Sequence, residues 1–264
     1  MVKVKDHREV RTFRGKVSFF GMGTLKTFAF LWDGNLVDTG PGTLERKFLP
    51  AFLDSPVRRV LLTHFHEDHS GNAARLQMEM KVPVFADPGA LDLLRRDAGL
   101  PFYRRYIWGK RRKLEPVPYG EAVDSENGRL EVIKTPGHSQ DHVCLLNRRE
   151  GFIFTGDLFV TPGIRAAMRG ESVPEIIRSL KRLLQEDFET LYCAHAGVVE
   201  KGREMVEKKL AYLEELSERV LGMHRQGLSS REINRKIFGK AQMLDYISLG
   251  EWSSRHIISS IIKG

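Results

Sequence analysis

The chain has 264 residues, of which 41% are hydrophobic and 29% are charged, and its formal net charge is +8. This balance excludes a wholly disordered chain, and the length suits one large α/β domain or one domain with a helical appendage. The amino-terminal stretch 1–16 is charged without a signal-peptide pattern, and glycines and a lysine interrupt the apolar stretch 17–32, so no membrane span is expected.

The first half of the chain alternates short apolar runs with turn-forming residues, which predicts strands connected by turns and helices. Residues 16–23, 25–35 and 35–42 are predicted as successive strands, with a hairpin turn at Asp33-Gly34. Residues 60–62 form a fully apolar run typical of a buried parallel strand. A helix over 70–80, a strand over 82–86 and a helical segment over 87–99 are predicted to follow.

The second half repeats this alternation up to about residue 199. Strands are predicted over 129–138, 141–147, 151–159 and 189–197, and a helix over 171–184 begins with the capping pair Ser172/Glu175. The only two cysteines, Cys144 and Cys193, lie in apolar runs. Two buried thiols in a reducing compartment are expected, which predicts a cytoplasmic protein.

Residues 200–264 are predicted to be entirely helical. A long amphipathic helix comes first, and the Ser-x-x-Glu signals at 229–232 and 248–251 are expected to open two shorter helices. Short helices at this spacing resemble a helix-turn-helix, but a structural cap on the main domain is the favoured interpretation. The predicted organisation is a catalytic domain over 1–199 and a helical carboxyl-terminal extension over 200–264.

Most of the excess positive charge lies in one window, residues 95–113, which holds eight Lys or Arg against one Asp. Aromatic residues are interleaved with these cations. A solvated surface, a site for a small anionic substrate and a nucleic-acid site all remain open for such a run. The candidate substrate-binding cations are Arg104, Arg105, Lys110, Arg111, Arg112 and Lys113.

Histidines and aspartates stand where the predicted strands end. They are His64, His66, Asp68 and His69 in "LLTHFHEDHSGN", followed by His138, Asp157 and His195. Open α/β sheets place their sites at the carboxyl ends of strands, so these residues are expected to meet at one edge. Imidazole nitrogens and carboxylate oxygens suit zinc and related divalent metals, and the sequence therefore predicts a metal site.

The motifs "THFHEDHSGN", "VDTGPG", "TPGHSQDH", "FTGDLF" and "CAHAG" resemble those of the metallo-β-lactamase superfamily, over about residues 15–200. The resemblance implies an αββα sandwich, two mixed sheets face to face between helices, here with the helical extension added. It also implies two metal ions: one held by His64, His66 and His138, the other by Asp68, His69 and His195, with Asp157 bridging. Asp38 would support the site from behind the ligands, and we assign His142 a supporting role as well.

The resemblance also implies a mechanism in which a hydroxide held by two divalent ions is the nucleophile. Zn²⁺ is the favoured metal, and iron or manganese is compatible. Asp68 would orient the hydroxide and carry a proton to the leaving group, whereas Glu67 occupies a variable position that should tolerate Gln. The hydroxyacylglutathione-hydrolase-like and lactamase-like hydrolases are the most similar branch.

The substrate is the least determined part of this prediction. Hydrolysis of a small, anionic ester or thioester is favoured. Cleavage of RNA as a phosphodiesterase or endoribonuclease is the alternative, and a non-catalytic nucleic-acid-binding protein is a minor one. Neither the oligomeric state nor the role of the extension is predicted.

Overall fold

The computed structural model describes residues 2–18, 23–241 and 243–264. Within these ranges the chain forms two mixed β-sheets, a two-stranded ribbon and ten α-helices. The predicted strand 16–23 is described only up to Ser18 and again at Gly23, so its residues 19–22 lie outside the described ranges. Among the described helices, none combines the length and the apolar character needed to cross a membrane.

The first sheet has seven described strands, which lie side by side in sequence order. They are β1 Lys3–His7, β2 Val10–Ser18, β3 Thr24–Trp32, β4 Asn35–Val37, β5 Arg59–Leu61, β6 Val84–Ala86 and β7 Pro116–Pro118. Pairing is antiparallel from β1 to β4 and parallel from β4 to β7. Asp33 and Gly34 both have positive φ, as a two-residue hairpin turn of type I′ requires.

The second sheet has six described strands in the order β14-β13-β11-β10-β9-β8. They are β8 Ala122–Ser125, β9 Gly128–Lys134, β10 Val143–Asn147, β11 Phe152–Gly156, β13 Thr190–Cys193 and β14 Gly197–Val199. Only β11 and β13 pair in parallel among these described strands. A separate antiparallel ribbon joins β12 Ala167–Met168 to β15 Trp252–Ser253, and so connects the main body to the carboxyl-terminal helices.

Helices follow the strands in both halves. They are α1 Glu45–Leu53, α2 Glu67–Ser70, α3 Ala73–Met80, α4 Leu91–Leu94, α5 Phe102–Trp108, α6 Val173–Leu183, α7 Gly202–Arg225, α8 Ser230–Phe238, α9 Met243–Ile247 and α10 Ser254–Lys263. The predicted capping box of α8 is complete, because Ser229 and Glu232 each bond the other's backbone N–H.

The two sheets pack face to face because successive side chains of a strand point to opposite sides. In β3, Phe28, Phe30 and Trp32 join an apolar cluster that also contains Leu145 and Phe154 of the second sheet. The alternate residues of β3 join a second cluster with α1, α3 and α5. The alternate residues of β10 and β11 join a third cluster with α6, α7, α8 and α10. These layers confirm the predicted αββα sandwich.

The carboxyl-terminal helices are part of the core rather than a separate body. Val206, Leu213, Val220, Ile233 and Ile257 are fully buried in the same cluster as the strands of the second sheet. This packing agrees with the cap interpretation of the extension, while the boundary at residue 199 stays a prediction.

Several predicted helix limits differ from the structure. The helix predicted over 70–80 is interrupted by a turn at residues 71–72, and the extension predicted to be entirely helical contains β15. The helical segment predicted over 87–99 ends as α4 at Leu94, because the Leu94 carbonyl accepts from the N–H of Leu114 instead of from a following turn. The last helix begins after Ser253, whose Oγ accepts from the N–H of Arg255, and not at Ser248. Ser248 Oγ accepts from the N–H of Trp252 in the preceding turn.

Candidate metal centre

Three imidazoles converge beyond the end of β5. His64 and His66 follow this strand, and His138 lies in the loop between β9 and β10. Nδ1 of His66 lies 2.9 Å from Nε2 of His64 and 3.0 Å from Nε2 of His138. Because Nδ1 carries either one proton or one lone pair, it can serve only one of these two contacts. Three converging nitrogens of this kind are a donor set for a divalent metal.

A second group lies beside the first and contains two carboxylates. It consists of Asp68, His69, Asp157 and His195, whose donor atoms lie within 4.8 Å of one another. Asp157 Oδ1 lies 3.3 Å from His195 Nε2 and 3.4 Å from His69 Nε2, whereas its Oδ2 lies 3.5 Å from His138 Nε2. One carboxylate therefore presents one oxygen to each group, as a bridging ligand would.

The orientation of four histidine rings is set by contacts of their Nδ1 atoms. Nδ1 of His64 lies 3.0 Å from Thr63 Oγ1, and Nδ1 of His69 lies 2.8 Å from Asp38 Oδ2. Nδ1 of His138 lies 3.5 Å from Glu171 Oε1, and Nδ1 of His195 lies 3.0 Å from the Lys26 carbonyl oxygen. These contacts leave Nε2 of each ring to face the two groups. Such partners fix the tautomer of a metal-binding histidine.

Asp38 supports this arrangement at the end of β4. Its carboxylate accepts from the backbone N–H of Thr63 at 2.9 Å and contacts Nδ1 of His69. Its backbone φ of 56° is uncommon for a residue with a side chain. Strained backbone of this kind persists where the surrounding contacts hold it, as these two do.

The imidazoles and carboxylates of the site shift one another's pKa values. Burial, together with nearby imidazoles, lowers the pKa of His64 and of His66 well below the ordinary value. Burial acts against ionisation of Asp157, but His195 and His69 lower its pKa well below the ordinary value. Burial likewise opposes protonation of His69 and His195, yet the carboxylates raise the pKa of both rings. The carboxylates of Asp68 and Asp157 thus stabilise positive charge on the neighbouring imidazoles.

Two buried polar atoms of the second group make no hydrogen bond in the described part of the chain. Among the described residues, His69 Nε2 and Asp157 Oδ1 are buried and lie 3.4 Å apart, but neither makes a contact with the geometry of a hydrogen bond. Buried polar atoms without partners are rare and call for a ligand, water or ion at that place. Together with the donor types, these atoms show that the residues present fit divalent metal ions.

His142 and Gly156 fix the turn that carries Asp157. Burial lowers the pKa of His142 to about 3, so the ring is neutral. Its Nε2 accepts from the N–H of Asp157 at 3.1 Å, which leaves Nδ1 to donate to Thr135 Oγ1 at 2.8 Å. Gly156 has φ +46°, and a Cβ there would lie 2.7 Å from Thr63 Oγ1 and 2.8 Å from His142 Nε2.

Glu67 was expected to tolerate Gln, but its contacts in the structure lead us to expect that this substitution is destabilising. Its side chain is 2% exposed and receives two hydrogen bonds of 2.6 Å from Arg104. Arg104 also donates to Glu251 of the extension at 2.9 Å. A buried bidentate pair requires precise placement of both side chains. Through Arg104, Glu67 connects the turn at residues 66–69 to α5 and to the carboxyl-terminal segment.

A cavity of about 1060 Å³ opens directly from the two groups. His66, Asp68, His138, Asp157 and His195 form one side of it. Much of the remaining wall is apolar and comes from three places: α5, residues 160–176 and the extension. It includes Ile107, Trp108, Met168, Val173, Ile176, Leu213, Leu244 and Trp252.

Of the six basic residues proposed to bind substrate, only Arg104 lines this cavity. Its charge already faces Glu67 and Glu251. Arg111 is 5% exposed and donates to the carbonyls of Leu93 and Leu94, so its guanidinium stabilises a turn instead of a ligand. Arg105, Lys110, Arg112 and Lys113 are exposed outside the cavity. The structure therefore does not assemble these cations into one substrate-binding surface.

Comparison with known proteins agrees with this geometry. The family model of the metallo-beta-lactamase superfamily matches residues 35–195, more than half of the chain. The chain belongs to this superfamily. The matched segment begins in β4 and ends at His195, so it contains every residue of the two metal-facing groups.

Curated proteins with similar sequences include a thioesterase and a hydrolase. An atrochrysone carboxyl ACP thioesterase from Passalora fulva is 28% identical over 176 residues, covering 62% of this chain and 45% of that protein. A hydroxyacylglutathione hydrolase from Xanthomonas axonopodis pv. citri is 30% identical over 163 residues, covering 61% of this chain and 56% of that protein. The chain thus spans about half the length of the curated relatives it matches. These relationships support a hydrolase.

Solved structures share the fold. A metallo-beta-lactamase family protein from Thermus thermophilus aligns with TM-score 0.64 at 19% identity, covering 95% of this chain and 90% of that chain. An archaeal superfamily protein from Sulfolobus tokodaii aligns with TM-score 0.62 at 17% identity, covering 98% and 100%. Both alignments include most of the carboxyl-terminal helices, so the extension is part of a shared architecture.

Proposed function

We propose that this superfamily hydrolase uses two divalent metal ions, with Zn²⁺ favoured, to cleave small-molecule esters or thioesters. The observation that carries the proposal is Asp157, whose two oxygens face two separate groups of metal-ligand side chains at the wall of a large cavity. His64, His66 and His138 would hold one ion. Asp68, His69 and His195 would hold the other, with Asp157 between them.

When bound, such ions supply an activated water and polarise the carbonyl oxygen of the substrate. The protein residues have complementary tasks. Asp68 Oδ2, 3.3 Å from His195 Nε2, is placed to orient the attacking water and to hold the proton that the leaving group needs. His142, Asp38 and Glu171 hold the side chains that face the ions.

The cavity favours an acyl substrate over a nucleic acid. Its wall is largely apolar, which suits an acyl chain. The basic residues Arg105, Lys110, Arg112 and Lys113 lie outside it and do not mark a path for a polyanion to the metal-facing groups. The two free, buried cysteines fit the reducing cytoplasm that we expect for the protein.

The test is a side-by-side assay of zinc-loaded protein on acyl thioesters, a bis-phosphodiester and single-stranded RNA. We expect thioester hydrolysis, a metal content close to two per chain, and loss of activity by at least about 100-fold in Asp68→Ala and Asp157→Ala. Elemental analysis and circular dichroism of each variant separate loss of metal or fold from loss of chemistry.

Three results would overturn parts of the proposal. Cleavage of RNA without any thioester hydrolysis would replace the substrate class. Binding of a single metal under saturating zinc, unchanged in His195→Ala, would remove the two-metal site. Near-normal activity of Asp68→Ala with full metal content would remove the proton-handling role of Asp68. An Arg112→Ser/Lys113→Ser variant that leaves thioester hydrolysis intact serves as the control for the exposed basic window.

A further inference from the structure

One lysine is buried at the cavity wall without an acidic partner among the described residues. Lys209 lies in α7 and is 4% exposed. Its Nζ donates to the carbonyl of Leu158 at 2.7 Å and lies 5.9 Å from the centre of the Phe159 ring. Among the ion pairs of the described lysines, which involve Lys134, Lys181, Lys201 and Lys208, none includes Lys209.

Burial of this ammonium is costly, because it has three donors and one protein acceptor in the described part of the chain. Lys209 occupies the apolar stripe of α7, between Val206 and Leu213, where an aliphatic residue would complete the core. Burial lowers the pKa of Lys209, while Cys193, Glu171 and Asp157 act in the opposite direction. The Lys209 amine therefore has donors available for a further acceptor at the cavity wall.

The other cationic side chains that line the cavity are either exposed to solvent or paired with carboxylates. Lys26 and Arg165 are exposed residues, so solvent screens their charge. Arg104 is paired with two carboxylates. Lys209 is the cavity cation that is both buried and free of a carboxylate partner among the described residues.

We propose that Lys209 binds a carboxylate on the acyl group of the substrate, so that the cavity selects acidic acyl esters or thioesters. This inference rests on the proposed hydrolase function and specifies its substrate class. Nζ bonds the carbonyl of Leu158, the residue that directly follows Asp157, and Lys209 and Asp157 line the same cavity. In this proposal the acyl group lies at the Lys209 side of the cavity, and the leaving group lies away from it.

A purely structural role is the competing explanation. The Lys209–Leu158 bond also supports the turn that carries Asp157, and its loss would then impair every substrate equally. The two explanations differ in their dependence on substrate charge. Matched pairs of thioesters of N-acetylcysteamine, adipoyl against hexanoyl and suberoyl against octanoyl, isolate one terminal carboxylate at constant chain length.

With zinc-loaded protein, we expect Lys209→Met to lower kcat/KM for the adipoyl or suberoyl thioester by about 10- to 100-fold, the range for a hydrogen bond to a charged group. The neutral partner should change by less than about threefold. Lys209→Gln, which keeps a donor for Leu158 but no charge, should behave like Lys209→Met, and Lys209→Arg should recover part of the loss. Lys208→Met, on the exposed side of the same turn of α7, is the matched control and should be unchanged.

Equal losses on charged and neutral substrates would overturn the proposal and leave Lys209 as a support for the turn. So would a wild-type enzyme that does not prefer the acidic thioester of either pair. Calorimetric titration with the free acids separates this result from failure of the hydrolase function. Adipate should bind the wild type more tightly than hexanoate, and Lys209→Gln should remove the difference, whether or not any thioester is cleaved.

Discussion

Glu67 lies in the chain between His66 and Asp68, yet its carboxylate binds Arg104. Burial raises the pKa of Glu67, and the Arg104 contacts oppose that rise. The pair belongs to a network that also includes Glu251. Removing the carboxylate of Glu67 or of Glu251 would leave the Arg104 guanidinium incompletely paired. This turn of chain therefore serves two purposes, because His66 and Asp68 belong to the two groups of metal-ligand residues while Glu67 between them pairs with Arg104.

Glu67→Gln should therefore lower the free energy of unfolding by about 1.5–3 kcal/mol, the range for hydrogen bonds to charged groups. Urea unfolding of the metal-loaded protein measures this loss. Glu131→Gln is the matched control, because Glu131 makes the same two-bond contact with Arg148 at the exposed surface, where a loss below about 1 kcal/mol is expected. Equal losses in the two variants would show that the buried pair contributes no more to the free energy of unfolding than the exposed pair.

At the scale of elements, the site depends on how strands end. β4, β5, β11 and β13 each end just before a residue of the site or its support, and β11 and β13 are parallel neighbours. Gly156 closes β11 and allows Thr63 and His142 to approach the backbone next to Asp157. The strand end thus sets the position of the carboxylate that faces both metal groups.

Gly156→Ala should reduce metal affinity and activity by at least about tenfold and destabilise the fold, because a Cβ would displace Thr63 or His142. Gly151→Ala is the matched control: Gly151 also has a positive φ, +65°, but a Cβ there meets nothing within 4 Å. It should cost only the left-handed backbone penalty of about 1–2 kcal/mol. Zinc titration and thermal melts distinguish the two, and equal metal affinity would refute the steric argument.

At the scale of the whole molecule, the helical extension completes both the core and the cavity. α7, α8 and α10 fill the outer face of the second sheet, while Lys209, Leu213, Leu244 and Trp252 line the cavity. A contact between Arg104 and Glu251 ties the extension to the first half of the chain. The extension therefore contributes both to the core and to the wall of the cavity.

A chain ending at residue 199 should consequently fail to fold cooperatively, because the second-sheet cluster would lose its outer layer. Loss of the near-ultraviolet circular dichroism signal and binding of a hydrophobic dye would show this. Adding residues 200–264 as a separate chain should restore part of the signal. A cooperative urea transition of the 1–199 chain alone would instead establish the predicted boundary as a true domain border.

Local features of the sequence predicted the order of strands and helices and the gathering of metal-ligand residue types at one sheet edge, whereas the αββα sandwich and the two ligand sets were implied by the resemblance to the superfamily. Alternating apolar residues define the faces of a strand, and polar residues directly after strands must gather at a sheet edge. Thus His64, His66, Asp68 and His69 could be predicted together, and so could His138, Asp157 and His195. The capping box at Ser229/Glu232 is equally local.

Only the tertiary structure decided what the charged residues outside these motifs do. Glu67, Arg104 and Glu251 are far apart in sequence, and their pairing depends on packing of the extension against α5. Arg111 looked like part of a binding surface but stabilises a turn. Lys209 left a weak signal, a cation in phase with the apolar stripe of α7. Whether such a charge is solvated, paired or facing a cavity depends on long-range neighbours, which spacing along the chain does not specify.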